Sequence, residues 1–180
     1  MSSQPDLRFP VGKFARPKGA LTPAERNALI DAIAQSPAAV RAAVKGLREK
    51  QLNTPYRPDG WTVRQVVHHL ADSHMNAYCR FKLGLTEDVP TVKPYNEAKW
   101  AELIDGKSAP VDGSLSVIDG VHARWVMMLR DMKPADFRRN LSHPEWDTPP
   151  SLDDMLAMYG WHAQHHTAHI AELRKREGWD

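Results

Sequence analysis

Ser151-Leu-Asp-Asp-Met-Leu-Ala-Met-Tyr-Gly-Trp-His-Ala-Gln-His-His-Thr-Ala-His-Ile170 reads as the body of a long amphipathic helix. A serine at the start accepts from N–H groups that the first turn leaves unpaired, and the acidic residues after it favour that end of the helix. Gly178 supplies a stop, so the helix reaches about Glu177. At about 100° per residue, Leu152, Met155, Leu156, Tyr159, Ala163, Ile170 and Leu173 fall on one stripe. His166 lies within that stripe and His162 at its edge. His165 points well away, and His169 lies a little beyond His162. Residues four apart share a helix face, with Cβ atoms roughly 5–6 Å apart, so two such imidazoles can reach one metal ion at about 2.0–2.1 Å. Two pairs have this spacing, His162 with His166 and His165 with His169, and the first is the better placed for an inward site. The ordinary alternative is a buried ring bonded to a backbone carbonyl.

Outward from this helix, residues 133–150 are broken by Pro134, Pro144, Pro149 and Pro150 and have room for a short hairpin. A helix is expected from about Ser114 to Asp131. Residues 86–113 carry Pro90, Pro94, Gly106, Pro110 and Gly113, a long connection with a short helix around Trp100. Thr62-Val-Arg-Gln65 is a capping box that opens a helix to about Leu85, preceded by turn chemistry in Tyr56-Arg-Pro-Asp-Gly60. Thr22-Pro-Ala-Glu25 is another capping box, opening a helical pattern to about Glu49 that Ser36-Pro37 kinks or restarts. Residues 1–21, with Pro5, Pro10, Gly12 and Pro17, read as an extended N-terminal arm lying on a single domain of residues 22–180. Four long helices without alternating strand patterns predict an all-α four-helix bundle with long irregular connections.

Composition narrows the function. The 180 residues are enough for one domain with a real core, and 42% hydrophobic with 26% charged residues is ordinary for a globular protein. No apolar run approaches the roughly 18 residues of a membrane span, and the N-terminal residues do not look like a secretory signal, so a cytoplasmic location is expected. The net charge is +2 with basic residues dispersed, which gives no electrostatic footprint for nucleic acid. Cys79 is the only cysteine, which removes disulfides and cysteine-rich zinc sites, and it reads as an inert buried thiol. Nine histidines stand out, seven of them in two clusters.

The second cluster, Val66-Val-His-His-Leu-Ala-Asp-Ser-His74, follows the Thr62 cap. Val63, Val66, Val67, Leu70, Tyr78 and Phe81 make its apolar face, and His74 sits in the middle of it. His69 shares a polar stripe with Gln65, Asp72 and Asn76, which could line a wet pocket. Periodicity alone does not choose between His69 and His74 as a third ligand.

Gly60-Trp-Thr-Val-Arg-Gln-Val-Val-His-His-Leu-Ala-Asp-Ser-His74 and Tyr159-Gly-Trp-His-Ala-Gln-His-His-Thr-Ala-His-Ile170 resemble the paired motifs of the YfiT-like metal-dependent hydrolases of the DinB superfamily. The similarity extends through Thr54-Pro-Tyr-Arg57, Arg80-Phe-Lys-Leu83 and Pro94-Tyr95 to Gly178-Trp179. The resemblance implies a DinB-type four-helix bundle with three ligands on His69, His162 and His166. It also implies zinc, with nickel or another divalent transition metal as the alternative, one ion per subunit of a cytoplasmic homodimer.

Three neutral imidazoles leave an open position on the ion, the arrangement of catalytic rather than structural zinc, where water ionises near pH 7. The expected function is therefore a metal-dependent hydrolase of a small molecule, with Asp72 or Glu172 as candidate bases that also read as solvated helix charges. The resemblance extends to thiol S-transferases of the bacillithiol or mycothiol type, where the open position takes a low-molecular-weight thiol. A purely structural metal site is the third reading, with a fourth ligand from His165, His169 or His74. Trp61 and Trp161 read as packing residues. Arg80 and Lys82 suit either an acidic substrate or a solvated face, and His122 and His143 have no partner legible in the sequence.

Overall fold

The computed structural model describes residues 6–179; Met1 to Pro5 of the expected arm, and Asp180, lie outside the described residues. Four long helices dominate: α1 (Pro23–Val44), α3 (Val63–Thr86), α6 (Val111–Asp131) and α7 (Leu152–Glu177). The links hold the short helices α2 (Glu49–Leu52), α4 (Glu97–Ala101) and α5 (Ile104–Ser108), and one 3-10 turn at Asp136–Arg138. Reciprocal capping boxes start α1 at Thr22 with Glu25, α3 at Thr62 with Gln65, and α7 at Ser151 with Asp154. Gly178, at φ 63°, ends α7 in the left-handed conformation that glycine adopts without strain. No described helix is long and apolar enough to cross a membrane.

Two features depart from the pattern in the sequence. α1 runs unbroken through Pro37 and stops at Val44, short of the expected Glu49. Residues 133–150 form no hairpin; isolated bridges join Asn140 to Ser151 and Thr91 to Ser142 instead.

α1 packs against α6 and α7, and α3 against the same two helices, so α1 lies diagonally across from α3. One apolar cluster takes Ile30 and Ile33 of α1, Phe81 of α3, Trp125 and Leu129 of α6, and Leu152 and Leu156 of α7. The other takes Val40 and Val44 of α1, Val66 and Leu70 of α3, Leu115 and Ile118 of α6, and Ile170 and Leu173 of α7. This order makes α1 and α7 run one way and α3 and α6 the other. Between the clusters along each helix stand polar residues: Ser36, His74, His122, and His162 with His166. A polar layer crosses the bundle at mid-height.

Arg26 of α1 and Asp153 of α7 form a buried bidentate pair, with Nε and Nη2 each 2.7 Å from a carboxylate oxygen. Removing either partner would strand a buried charge, a loss of about 3–5 kcal/mol. Residues 6–21 lie along α7. Arg16 pairs with Asp154 at 2.8 Å, Trp161 Nε1 donates to the Gly12 carbonyl at 3.1 Å, and Phe14 packs on Trp161 with ring centres 5.8 Å apart.

Candidate metal centre

α3 carries His69 into the bundle from one side and α7 carries His162 and His166 from the other. One ring nitrogen from each of the three lies within 4.8 Å of the others. His69 Nε2 and His162 Nε2 are 3.2 Å apart. Two ligands on a tetrahedral ion with bonds of 2.0–2.1 Å stand about 3.3–3.4 Å apart, so the pair already has the separation a zinc-sized ion requires. The donor set also fits. Burial, with a smaller contribution from His165, pushes His69 down to about 4, and burial holds His162 and His166 well below the usual imidazole value. All three rings are neutral at pH 7 and have lone pairs to give.

Hydrogen bonds fix which nitrogen of His162 does the giving. In α1, Pro37 has no N–H, so the carbonyl of Ile33, four residues earlier, lacks its helical partner. His122 Nδ1 donates to that carbonyl at 2.7 Å. A carbonyl only accepts, and burial keeps His122 neutral, so His122 Nε2 must accept. It does so from His74 Nδ1 at 2.7 Å, and His74 Nε2 then accepts from His162 Nδ1 at 3.2 Å. Assigned in this way from the network, the chain leaves the lone pair of His162 on Nε2, the atom beside His69. Metal-ligating histidines in general hand their second N–H to such a partner.

His74 is thus inward, as the periodicity suggests, with 1% exposure, but its ring is engaged in this chain. His122, partnerless in the sequence, is the link to α1. A second group, His165, His166 and His169, also brings ring nitrogens within 4.8 Å. All three come from α7; His169 stacks on Tyr56 at 3.9 Å and donates from Nε2 to the Arg8 carbonyl at 3.3 Å, and His165 stacks on Trp161 at 4.3 Å. His165 points away from the core stripe yet is buried, because Phe9 of the arm covers it at 6.2 Å between ring centres.

The three converging histidines line a cavity of about 400 Å³. Its roof comes from Pro94 and Tyr95 of one link and His143 and Trp146 of another, held together where Val92 N–H donates to Ser142 and Ser142 N–H to Pro90. Trp61 and Trp161 pack on His69 and His165, with ring centres 4.6 and 4.3 Å apart, and both also line the cavity. Neither carboxylate suggested by the sequence does so. Asp72 is half-buried with its pKa raised to about 6, by burial first and Asp105 second, and Glu172 borders a separate pocket beside Tyr56. The carboxylates on the cavity wall are the exposed Glu97 and Glu145. Cys79 is exposed on α3, contrary to the buried thiol expected.

A helical bundle of this topology with paired histidine motifs defines a class: residues 32–170 match the DinB superfamily, and the chain belongs to that superfamily. Within it, the chain is 44% identical over 174 residues to a Bacillus subtilis protein named "Putative metal-dependent hydrolase YfiT", covering 97% of each chain. It is 50% identical to a relative of the same description from Bacillus mycoides and 47% identical to one from Geobacillus thermodenitrificans, the latter over 99% of this chain and 100% of the relative. The solved structure of the B. subtilis protein superposes with a TM-score of 0.93, over 97% of this chain and 99% of that one, and is described as having an unusual four-helix bundle topology.

Proposed function

We propose that the protein is a metal-dependent hydrolase of a small molecule, with one divalent ion held by His69, His162 and His166. Zinc is the leading ion and nickel the alternative. The observation that carries this reading is the convergence of three neutral imidazoles from two helices at the wall of a cavity. When bound, the ion would polarise an acyl oxygen and supply hydroxide-like reactivity at neutral pH. The chain's own residues do the rest. The Ile33–His122–His74 bonds hold the His162 ring in register, and Trp61 packs against His69 with ring centres 4.6 Å apart. In keeping with the family resemblance, the protein works in the cytoplasm as a homodimer.

One observation favours thiol transfer as a second reading. Only exposed carboxylates reach the cavity wall, and a thiol that ionises on a metal needs no separate base. The zinc-loaded protein should hydrolyse an activated ester such as 4-nitrophenyl acetate without thiol, lose this on chelation and regain it with zinc. Product formed only when a thiol and an electrophile such as 1-chloro-2,4-dinitrobenzene are supplied together would replace hydrolysis by transfer.

A further inference from the structure

Three arginines are buried among the described residues, and they are not equivalent. Arg26 is paired with Asp153, and Arg64 with Glu49. Arg80, 9% exposed, has no carboxylate of the described residues within ion-pair distance. Its Nη1 donates to the Tyr159 hydroxyl at 3.1 Å and its Nη2 to the Lys93 carbonyl at 3.1 Å, both neutral acceptors. These two bonds orient the guanidinium and leave its charge unbalanced. A buried charge without a counter-ion is strongly unfavourable, so its retention calls for an anion supplied from outside.

Arg80 faces the cavity that His69, His162 and His166 line. Eleven residues separate it from His69 on α3, three turns plus about 20°, so both side chains leave the same face. The rise between them is about 16 Å, and the Tyr159 ring, whose hydroxyl the guanidinium bonds, bridges part of that span, with its centre 5.8 Å from that of His162. The wall between is mainly apolar and aromatic, with Met155, Tyr159 and Trp161, and carries one hydroxyl, from Ser73.

We infer that Arg80 anchors the carboxylate of the substrate, which is a small organic acid with an apolar body whose reacting group lies at the histidine end of the cavity. This rests on reading that cavity as the substrate site. A carboxylate fits better than a phosphate, because a planar single charge matches one guanidinium while a dianion would meet Glu97 and Glu145 at the cavity wall.

The test is binding, which is independent of whether the reaction is hydrolysis or thiol transfer. Hexanoate, hexanamide and hexyl phosphate are titrated calorimetrically into the zinc-loaded protein and into the same protein after chelation. Hexanoate should bind at least tenfold more tightly than the other two in both forms. Arg80→Gln, which keeps donors for Tyr159 and Lys93, should erase the preference over hexanamide, and Arg80→Lys should retain part of it. A preference that vanishes on chelation, or that survives Arg80→Gln, would assign the carboxylate elsewhere, and equal binding of acid and amide, or tighter binding of the phosphate, would overturn the inference outright. Failure of the ester assay with hexanoate binding intact would count against hydrolysis and leave the anchor standing.

Discussion

Imidazole is an amphipathic ring that enters a protein interior most readily as the neutral form, and eight of the nine histidines here are buried. Their titration has a predictable sign. Burial pushes His69 and His169 down to about 4, against about 6.5 for an exposed ring, so between these values the unfolded chain binds more protons than the folded one. The stability these rings contribute is complete above about pH 6.5 and is lost as the pH falls toward 4. For His69 the loss is on the order of 3 kcal/mol. Asp72, raised to about 6, acts in the opposite direction, but it is one half-buried group against several rings. The metal-free protein should therefore melt at a markedly lower temperature at pH 4.5 than at pH 7, as read by circular dichroism. A melting temperature unchanged across that range would mean that the rings are not buried as neutral groups.

The hydrogen-bonded chain to His162 needs all four long helices: the carbonyl from α1, His122 from α6, His74 from α3 and the ligand itself from α7. Its anchor was visible in the sequence only as Pro37, which suggested a kink. Instead α1 continues, and the carbonyl that proline strands is taken up across the bundle. In the metal-free protein, long-range proton–nitrogen correlation spectra should show His122, His74 and His162 all protonated on Nδ1. His122→Phe should keep the helix content while zinc affinity falls about 10–100-fold, measured by competition with a chromophoric chelator. Protonation of His162 on Nε2, or zinc affinity unchanged in the variant, would show that the chain does not set the ligand. The same dependence on four helices explains what the sequence withheld. A helical wheel ranks residues by how far inward they face, and by that measure His74 outranks His69. Which inward ring meets the metal depends on the neighbours it finds, and those belong to other helices.

At the scale of the molecule, the four long helices, the caps and the side of α7 that carries His162 and His166 were legible, because each depends on residues within a turn or two of one another, whereas the short helices α2 and α5 were not. The diagonal placement of α1 and α3 was not, since it is set by links of irregular backbone. Nor was the exposed Cys79, or the roof over the cavity, which two proline-rich connections build together. That placement has a consequence for function. Two apolar clusters close the bundle above and below, and the polar layer between them is the one level at which a charged ion can be held without splitting a continuous core. Diffraction from crystals of zinc-loaded protein, recorded on both sides of the zinc absorption edge, tests this most directly. One anomalous peak per chain is expected, about 2.0–2.1 Å from a ring nitrogen of each of His69, His162 and His166, with solvent completing the shell. A peak at the His165–His169 pair instead, or a fourth protein ligand closing the shell, would contradict the account.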